Sequence, residues 1–430
     1  MPDRPADPAF AASLDYLYGL QRFGIKLGLE NIRALLQRLG RPQQAFASVH
    51  VAGSNGKGSV CAALAEIFAR AGVVAGLYTS PHLHSFTERI RVAGAPITES
   101  EVAALTAEVR QQAGAIPVTF FEFTTALALL YFARRQVSWA ILETGMGGRL
   151  DATNAVTPRL CVITSLCRDH SGHLGTDLAA IAGEKAGIIK PGVPVLCAPQ
   201  PEAALAVISA RATALAAPLF LSGRDFAVRD GGDGLIFRGF GIELDGLRFG
   251  LAGRHQQLNL GLALAAAVLL RRQGVALPDA ALRTGVAGVR WPGRLEWWQD
   301  GRSILLDGAH NEGGARVLAG YLAEQGLSGV RWVVGLKADK DADELLAPLL
   351  PLAGEVYCTC PPVDAAYDPE RLAAAARSAG HPAKLLPDPA AALAAALADR
   401  RPGEVVLVAG SLFLVAAARD YLMTLERDGA

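Results

Sequence analysis

Val49-His-Val-Ala-Gly-Ser-Asn-Gly-Lys-Gly-Ser-Val60 is the stretch that decides the fold. An apolar β-branched run feeds a glycine-rich turn, and an apolar-periodic segment, Gly58 to Ala71, follows. Strand, turn and helix in this order gather backbone N–H groups and the positive end of a helix dipole around one point, which suits an anion. The spacing departs from the common phosphate loop, in which four residues separate two glycines and Lys-Ser/Thr follows. Here two residues separate Gly53 from Gly56, and Gly58 parts Lys57 from Ser59. The glycines permit close approach and positive φ, while Lys57 supplies a point charge for terminal phosphates. A plain glycine-rich turn is the alternative, and the joint presence of Lys57 and Ser59 speaks against it.

Outward from this loop, short β-branched runs alternate with alanine-rich amphipathic stretches, the pattern of a mostly parallel sheet covered by helices. Strands are expected at Ser48 to Ala52, Gly76 to Ser80, Ser138 to Glu143, Leu160 to Ser165 and Val193 to Ala198. Helices are expected at Gly58 to Ala71, Glu99 to Ala113, Phe123 to Arg134 and Asp177 to Ile189. From Ser222 to Gly253 a Gly-Gly-Asp-Gly run and local alternation predict small antiparallel hairpins, and Gln257 to Arg271 reads as a helix. Trp291-Pro-Gly-Arg294 punctuates the chain. Beyond it strands recur near Ser303 to Asp307, Val330 to Gly335, Glu355 to Cys360, Ala383 to Leu386 and Glu404 to Ala409, and Pro389 to Ala398 reads as a surface helix. The expected architecture is α/β: a mostly parallel, P-loop-type sheet domain over 1–291 with a short leader, and a smaller Rossmann-like α/β domain over 292–430.

Chemistry-bearing residues collect where these strands end. Glu143 closes the apolar run Trp139-Ala-Ile-Leu142, at the carboxyl edge where open α/β sheets bind ligands, and an acid there suits Mg²⁺. The polar run Thr144 to Asn154 follows it. The next strand leads to Arg168-Asp-His-Ser-Gly-His-Leu-Gly175 on the same edge, where His170 is either a metal ligand or a hydrogen-bonded structural histidine. Lys185 alone reads as a solvated helix lysine.

Composition narrows the partners. In 430 residues, 41 Lys+Arg balance 41 Asp+Glu, so no global field draws the chain to nucleic acid or an acidic membrane, and an anionic ligand must be held locally. The start MPDRPADPAF has neither a basic nor an apolar targeting region, and no apolar run approaches the roughly 20 residues of a membrane span, so a cytoplasmic protein is expected. A monomer is expected too, since no coiled coil or unusual apolar patch is evident. The 6 cysteines show no paired metal-ligand spacing; Cys358-Thr-Cys360 and the rest read as small buried hydrophobes.

Taken in order, the motifs resemble those of folylpolyglutamate synthase and dihydrofolate synthase, within the Mur ligases. They are Ala-Gly-Ser-Asn-Gly-Lys-Gly-Ser at 52–59, Thr-Ser-Pro-His-Leu at 79–83, Thr-Glu-Arg-Ile-Arg-Val at 87–92 and Phe-Phe-Glu-Phe at 120–123. Leu-Glu-Thr-Gly-Met-Gly-Gly-Arg-Leu-Asp-Ala-Thr-Asn at 142–154, Glu-Lys-Ala-Gly at 184–187, His-Gln-Gln-Leu-Asn at 255–259, Pro-Gly-Arg at 292–294 and Asp-Gly-Ala-His-Asn at 307–311 continue the series. The shortened loop resembles that family's own variant, with Ser54 where Thr is more usual.

The resemblance implies an ATP-dependent amide ligase that joins L-glutamate to dihydropteroate or to a folate tail through an acyl phosphate. It implies ATP held by Ser54, Asn55, Gly56, Lys57, Gly58 and Ser59, with Asn259, Arg294, Asp307 and His310 completing the nucleotide site, and the second domain closing over it. One Mg²⁺ falls to Ser80 and Glu143, with Ser59 as the alternative by general phosphate-loop logic. A second falls to His170 and a carbamylated Lys185, whose new oxygens suit a hard cation. Lys57, Glu143, His170 and Lys185 would thus surround one triphosphate. The pterin-bearing acceptor is expected along Thr119, Phe120, Phe121 and Glu122 and along Leu150, Asp151 and Ala152. There the aromatic rings would flank a flat ring system, and Glu122 or Asp151 would accept its N–H bonds; two phenylalanines at a helix start also serve as core.

Arg168, Gly172 and His173 depart from the family pattern around the Asp-His pair, which bears on the balance between first-glutamate addition and tail extension. Two other functions compete. A cell-wall Mur ligase calls for a uridine-nucleotide domain ahead of the loop, for which the 52 residues before Gly53 are too few. A nucleotide-switch ATPase needs no acceptor pocket and would turn over ATP regardless of glutamate.

Overall fold

The computed structural model describes residues 7–23, 28–168, 177–298 and 303–428. The chain forms two compact units. The first comprises Met1–Leu166, Leu174–Gly250 and Gln256–Arg290, the second Cys167–His173, Leu251–His255 and Trp291–Ala430.

The first unit is built on strands β1 (Ala47–Ala52), β2 (Ala75–Tyr78), β3 (Ile90–Val92), β4 (Ala95–Pro96), β5 (Trp139–Glu143), β6 (Leu160–Ile163), β7 (Val195–Cys197) and β8 (Leu219–Leu221). They pair in the order β4-β3-β2-β5-β1-β6-β7-β8, parallel except at β3 and β4. β1 lies between β5 and β6, where the winding changes side, and the crevice beyond its carboxyl end is the usual ligand position in such sheets. Val49, His50 and Val51 are all wholly buried, as expected of a parallel strand covered on both faces.

Helices α1 (Pro8–Gly19), α2 (Glu30–Arg38), α3 (Lys57–Arg70), α4 (Glu99–Ala113), α5 (Phe120–Arg134), α6 (Leu178–Ala186), α7 (Glu202–Ala214), α8 (Arg254–Arg272) and α9 (Asp279–Gly288) accompany this sheet. β9 (Phe226–Gly231), β10 (Gly234–Gly239) and β11 (Ile242–Leu247) form the separate antiparallel sheet that the glycine-rich run foretold.

Four expected boundaries move for a local reason. α5 starts at Phe120 rather than Phe123 because Thr119 and Glu122 form a capping box: the Thr119 hydroxyl accepts from Glu122 N, and Glu122 Oε2 accepts from Thr119 N at 2.8 Å. β2 and β6 stop at Tyr78 and Ile163 rather than Ser80 and Ser165. The residues beyond turn to bind the neighbouring loops: Ser80 N donates to Glu143, and Ser165 O accepts from Ser54 N and Asn55 N. α6 is capped by Asp177 and gives way at Gly187, short of Ile189.

In the second unit, β12 (Glu296–Trp297), β13 (Ile304–Asp307), β14 (Val330–Val334), β15 (Ala353–Cys358), β16 (Ala383–Leu385) and β17 (Val406–Ala409) pair in the order β12-β13-β17-β14-β15-β16, parallel except at β12. α10 (Glu312–Glu324), α11 (Ala342–Leu349), α12 (Pro369–Ser378), α13 (Pro389–Ala398) and α14 (Leu412–Asp428) accompany them. Trp332 and Leu407 are wholly buried in its core, and Cys358 joins them while Cys360 stays partly exposed.

Candidate active site

Gly53 and Gly56 shape the loop between β1 and α3. Gly53 has φ 155°, and a Cβ there would lie 1.8 Å from Thr164 Oγ1; at Gly56, φ 92°, it would lie 2.3 Å from Asn259 Oδ1. Any larger residue would displace Thr164 or Asn259. Ser54 and Asn55 are pinned by N–H bonds to Ser165 O at 3.1 and 3.2 Å, and Lys57 opens α3 with Gly58 and Ser59 in its first turn. Asn259 is buried and donates to Gln256 Oε1 at 3.0 Å.

Two lysines converge on this loop. Lys57 Nζ folds back onto Gly53 O at 3.0 Å and Ser54 O at 3.1 Å, and the buried Lys185 Nζ donates to the same Gly53 O at 2.8 Å. Sharing one acceptor brings the amines within about 6 Å, where two positive charges repel by about 3 kcal/mol at an effective dielectric of about 20.

Glu143 stands directly beside Val51 in the sheet register and is 5 % exposed. Its Oε2 accepts from Ser80 N at 3.2 Å, which brings Ser80 beside a buried carboxylate, a hard-oxygen group of the kind that suits Mg²⁺. Burial foremost, then the charge of Glu143, push the Cys61 thiol well up, against the opposing pull of Lys57. One thiol therefore feels both groups. Among the described residues no three His, Cys, Asp or Glu side chains form a metal-holding cluster. His170, Gly172 and His173 lie outside the described residues, and Arg168 is exposed.

In the acceptor segments both carboxylates make local hydrogen bonds. Glu122 Oε2 is committed to the α5 cap, accepting from both the backbone and the hydroxyl of Thr119. Asp151 spends both oxygens on its own loop: Oδ2 accepts from Gly145 N and Met146 N at 2.9 Å each, and Oδ1 from Thr153 N and the Thr153 hydroxyl. Four donors fill a carboxylate. Asp151 thus fixes the backbone between Gly145 and Thr153 rather than offering a vacant acceptor, and Leu150 and Ala152 flank it at the start of a short 3₁₀ turn.

Phe120 and Phe121 are half-buried in an aromatic cluster. Phe120 stacks on Tyr18 at 5.9 Å and meets Phe86 edge-on at 6.5 Å, while Phe121 tilts against Tyr78 at 6.0 Å and packs over Gly145. The Arg89 guanidinium lies 5.3 Å from the Phe120 ring centre and 5.9 Å from that of Phe86, and its Nε donates to His82 Nδ1 at 2.7 Å. Burial, then Arg89, hold His82 neutral, with a pKa of about 4. The motifs at 79–83 and 87–92 are visible in the sequence, but nothing in their spacing reveals that Arg89 meets both His82 and Phe120.

In the second unit Asp307 ends β13 and accepts from Leu295 N and Ala309 N, each at 2.8 Å. Burial raises its carboxyl, with Arg294 pulling the other way. Arg294 Nη1 donates to Gly293 O at 3.0 Å and passes over Gly308, where a Cβ would lie 2.4 Å from it. His310 Nδ1 pairs with Gly308 O at 2.8 Å.

A family model for the Mur ligase middle domain matches residues 51–267, and one for the Mur ligase glutamate ligase domain matches residues 293–412. The dihydrofolate synthase/folylpolyglutamate synthase of Bacillus subtilis is 35 % identical over 96 % of this chain and 99 % of its own. The chain belongs to the dihydrofolate synthase/folylpolyglutamate synthase family of Mur ligases. Escherichia coli FolC in complex with DHPP and ADP superposes with a TM-score of 0.90 at 34 % identity, covering 98 % of this chain and 99 % of that one. The Yersinia pestis bifunctional enzyme complexed with AMPPNP and Mn ion gives 0.87 at 33 % identity, covering 98 % and 100 %. Lys57, Lys185, Ser80 and Glu143 gather at the carboxyl edge of the first sheet, the usual ligand position in such sheets. No helix among the described residues is long and apolar enough to cross a membrane.

Proposed function

We propose that this ligase uses ATP to join L-glutamate to dihydropteroate, to the glutamate tail of a folate, or to both, releasing ADP and phosphate. The observation that carries the site assignment is the convergence of Lys57 and Lys185 on one carbonyl beside the Ser80–Glu143 pair. In the first step an acceptor carboxylate oxygen attacks the γ-phosphorus of ATP, the bond to the β-γ bridging oxygen breaks, and ADP leaves. The α-amine nitrogen of glutamate, in its neutral form, then attacks the acyl carbon; the C–O bond to phosphate breaks and the amine sheds a proton.

Lys57 and the amides from Ser54 to Ser59 hold the β- and γ-phosphates and neutralise charge as it develops on them. Ser80 and Glu143 would hold one Mg²⁺, and His170 with a carbamylated Lys185 would hold a second; bound divalent ions would supply electrostatic stabilisation of the transferring phosphoryl group. Carbamylation would turn the buried Lys185 amine into an oxygen ligand of negative charge, the kind a hard cation prefers. Asn259, Arg294, Asp307 and His310 serve the nucleotide, with Asp307 assigned to the ribose and Arg294 to phosphate. Thr119–Glu122 and Leu150–Ala152 frame the acceptor by shape, aromatic surface and backbone. The ligase is proposed to act as a cytoplasmic monomer on small molecules, without a nucleic-acid or membrane partner.

The acyl phosphate is tested with an acceptor whose carboxylate carries heavy oxygen. One labelled atom should appear in the released phosphate; unlabelled phosphate would rule the intermediate out.

A further inference from the structure

His50 sits wholly buried on β1, next to the residue that pairs with Glu143, and takes no part in the chemistry above. Its Nε2 lies 2.8 Å from Thr153 Oγ1, a contact between residues 103 positions apart. The Thr153 hydroxyl donates to Asp151 Oδ1, and Asp151 Oδ2 receives Gly145 N and Met146 N. A hydroxyl has a single proton. Since Thr153 gives its proton to Asp151, His50 must donate from Nε2, leaving Nδ1 as a bare acceptor. That nitrogen is buried and has no hydrogen-bond partner among the described residues. Burial, with the nearby Lys190 charge adding to it, keeps the ring neutral, the state this donor arrangement requires.

A strand core does not need such a group. Valine or leucine at this position would bury as well, and replacing both members of a buried hydrogen-bonded pair by apolar residues is often nearly neutral for stability. What the polar chain provides is direction: imidazole to hydroxyl, hydroxyl to carboxylate, carboxylate to two backbone amides of the loop that leaves Glu143. The same loop carries Gly145, over which Phe121 packs, and runs on to Leu150 and Ala152.

We propose that His50 is a positioning residue for the acceptor substrate, acting through Thr153 to orient the Asp151 carboxylate that sets the wall of the acceptor pocket. This rests on the assignment of Thr119–Glu122 and Leu150–Ala152 to the acceptor.

Steady-state kinetics on the full chain, with ATP and acceptor varied separately, test it. His50→Leu, which lacks the donor, should raise the acceptor KM by about tenfold while the ATP KM stays within about twofold. His50→Gln, whose amide nitrogen reaches near the Nε2 position, should restore the acceptor KM. Thr153→Val should match His50→Leu, Thr153→Ser should resemble the parent, and the Leu/Val double variant should be no worse than either single one, because all break one chain of bonds. The Thr153 pair decides the matter if His50→Leu does not fold. Equal rises in both KM values, or failure of Gln and Ser to rescue, would overturn the proposal in favour of a general packing role. An unchanged acceptor KM in His50→Leu alongside a raised one in Asp151→Ala would overturn it and leave the acceptor site standing. An unchanged acceptor KM in Asp151→Ala as well would remove the acceptor-site assignment itself.

Discussion

A buried neutral histidine makes stability depend on pH in a direction that can be worked out. His50 has its pKa lowered from 6.5 to about 3, by burial first and by the Lys190 charge second. Between these values the unfolded chain binds a proton that the folded chain refuses, so unfolding gains protons and stability rises with pH. The contribution is complete above the unfolded value and is lost progressively as pH falls from about 6.5 toward about 3. From pH 7 to pH 5 the linkage integral gives a loss of about 2 kcal/mol for this single group. His82, also in the first unit with a folded value of about 4, adds a loss of similar size and the same sign. His50→Gln removes one of the two titrations and leaves the other. Urea unfolding of the first unit, followed at about pH 7 and about pH 5, should show the parent losing about 2 kcal/mol more than His50→Gln across that interval. Parallel losses, within about 0.5 kcal/mol, would mean that His50 is not held neutral, and the assignment of Nδ1 as a bare acceptor would fall with it.

Other perturbations act nearer the chemistry. Lys57→Ala should cut ligation by roughly 10²-fold or more, the scale of losing one charge that stabilises a transition state, while the thermal midpoint without nucleotide stays near that of the parent. Gly53→Ala forces a Cβ to within 1.8 Å of Thr164 Oγ1 at φ 155°, so a stability loss of about 1–3 kcal/mol and loss of the thermal shift caused by ATP are expected; an unchanged ATP shift would contradict the loop geometry. Lys185→Ala should be inactive and partly recovered by millimolar short-chain carboxylates, which replace the carbamate oxygens; no recovery in a titration would count against the carbamate.

How much of this was legible depends on how local each signal is. The phosphate loop, the acid at the end of β5 and the glycine-rich antiparallel sheet lie in short runs whose periodicity and turn residues carry their own meaning. α4 and α13 begin and end where the sequence suggested, because Thr98 and Asp388 are strong caps and alanine-rich interiors favour helix. The start of α5 is legible in principle, since Thr119-Phe-Phe-Glu122 has the capping-box spacing. Strand ends were harder: Ser80 and Ser165 leave the sheet to bind other loops, and nothing adjacent in sequence encodes those partners. The site residues divide in the same way. Lys57 and Glu143 follow from position on a strand-turn-helix or strand edge. That Lys185 reaches the Gly53 carbonyl across 132 positions, or that Asp151 is saturated by its own loop, emerges only once the sheet brings those segments together.

The most direct test of the account is a product-resolved mass assay of the purified chain with ATP, L-glutamate and, in competition, dihydropteroate and tetrahydrofolate. The account predicts acceptors heavier by added glutamate, ADP formed only when glutamate and an acceptor are both present, and neither product with Lys57→Ala. Turnover of ATP that proceeds equally well without glutamate or acceptor, with no glutamylated product, would contradict it.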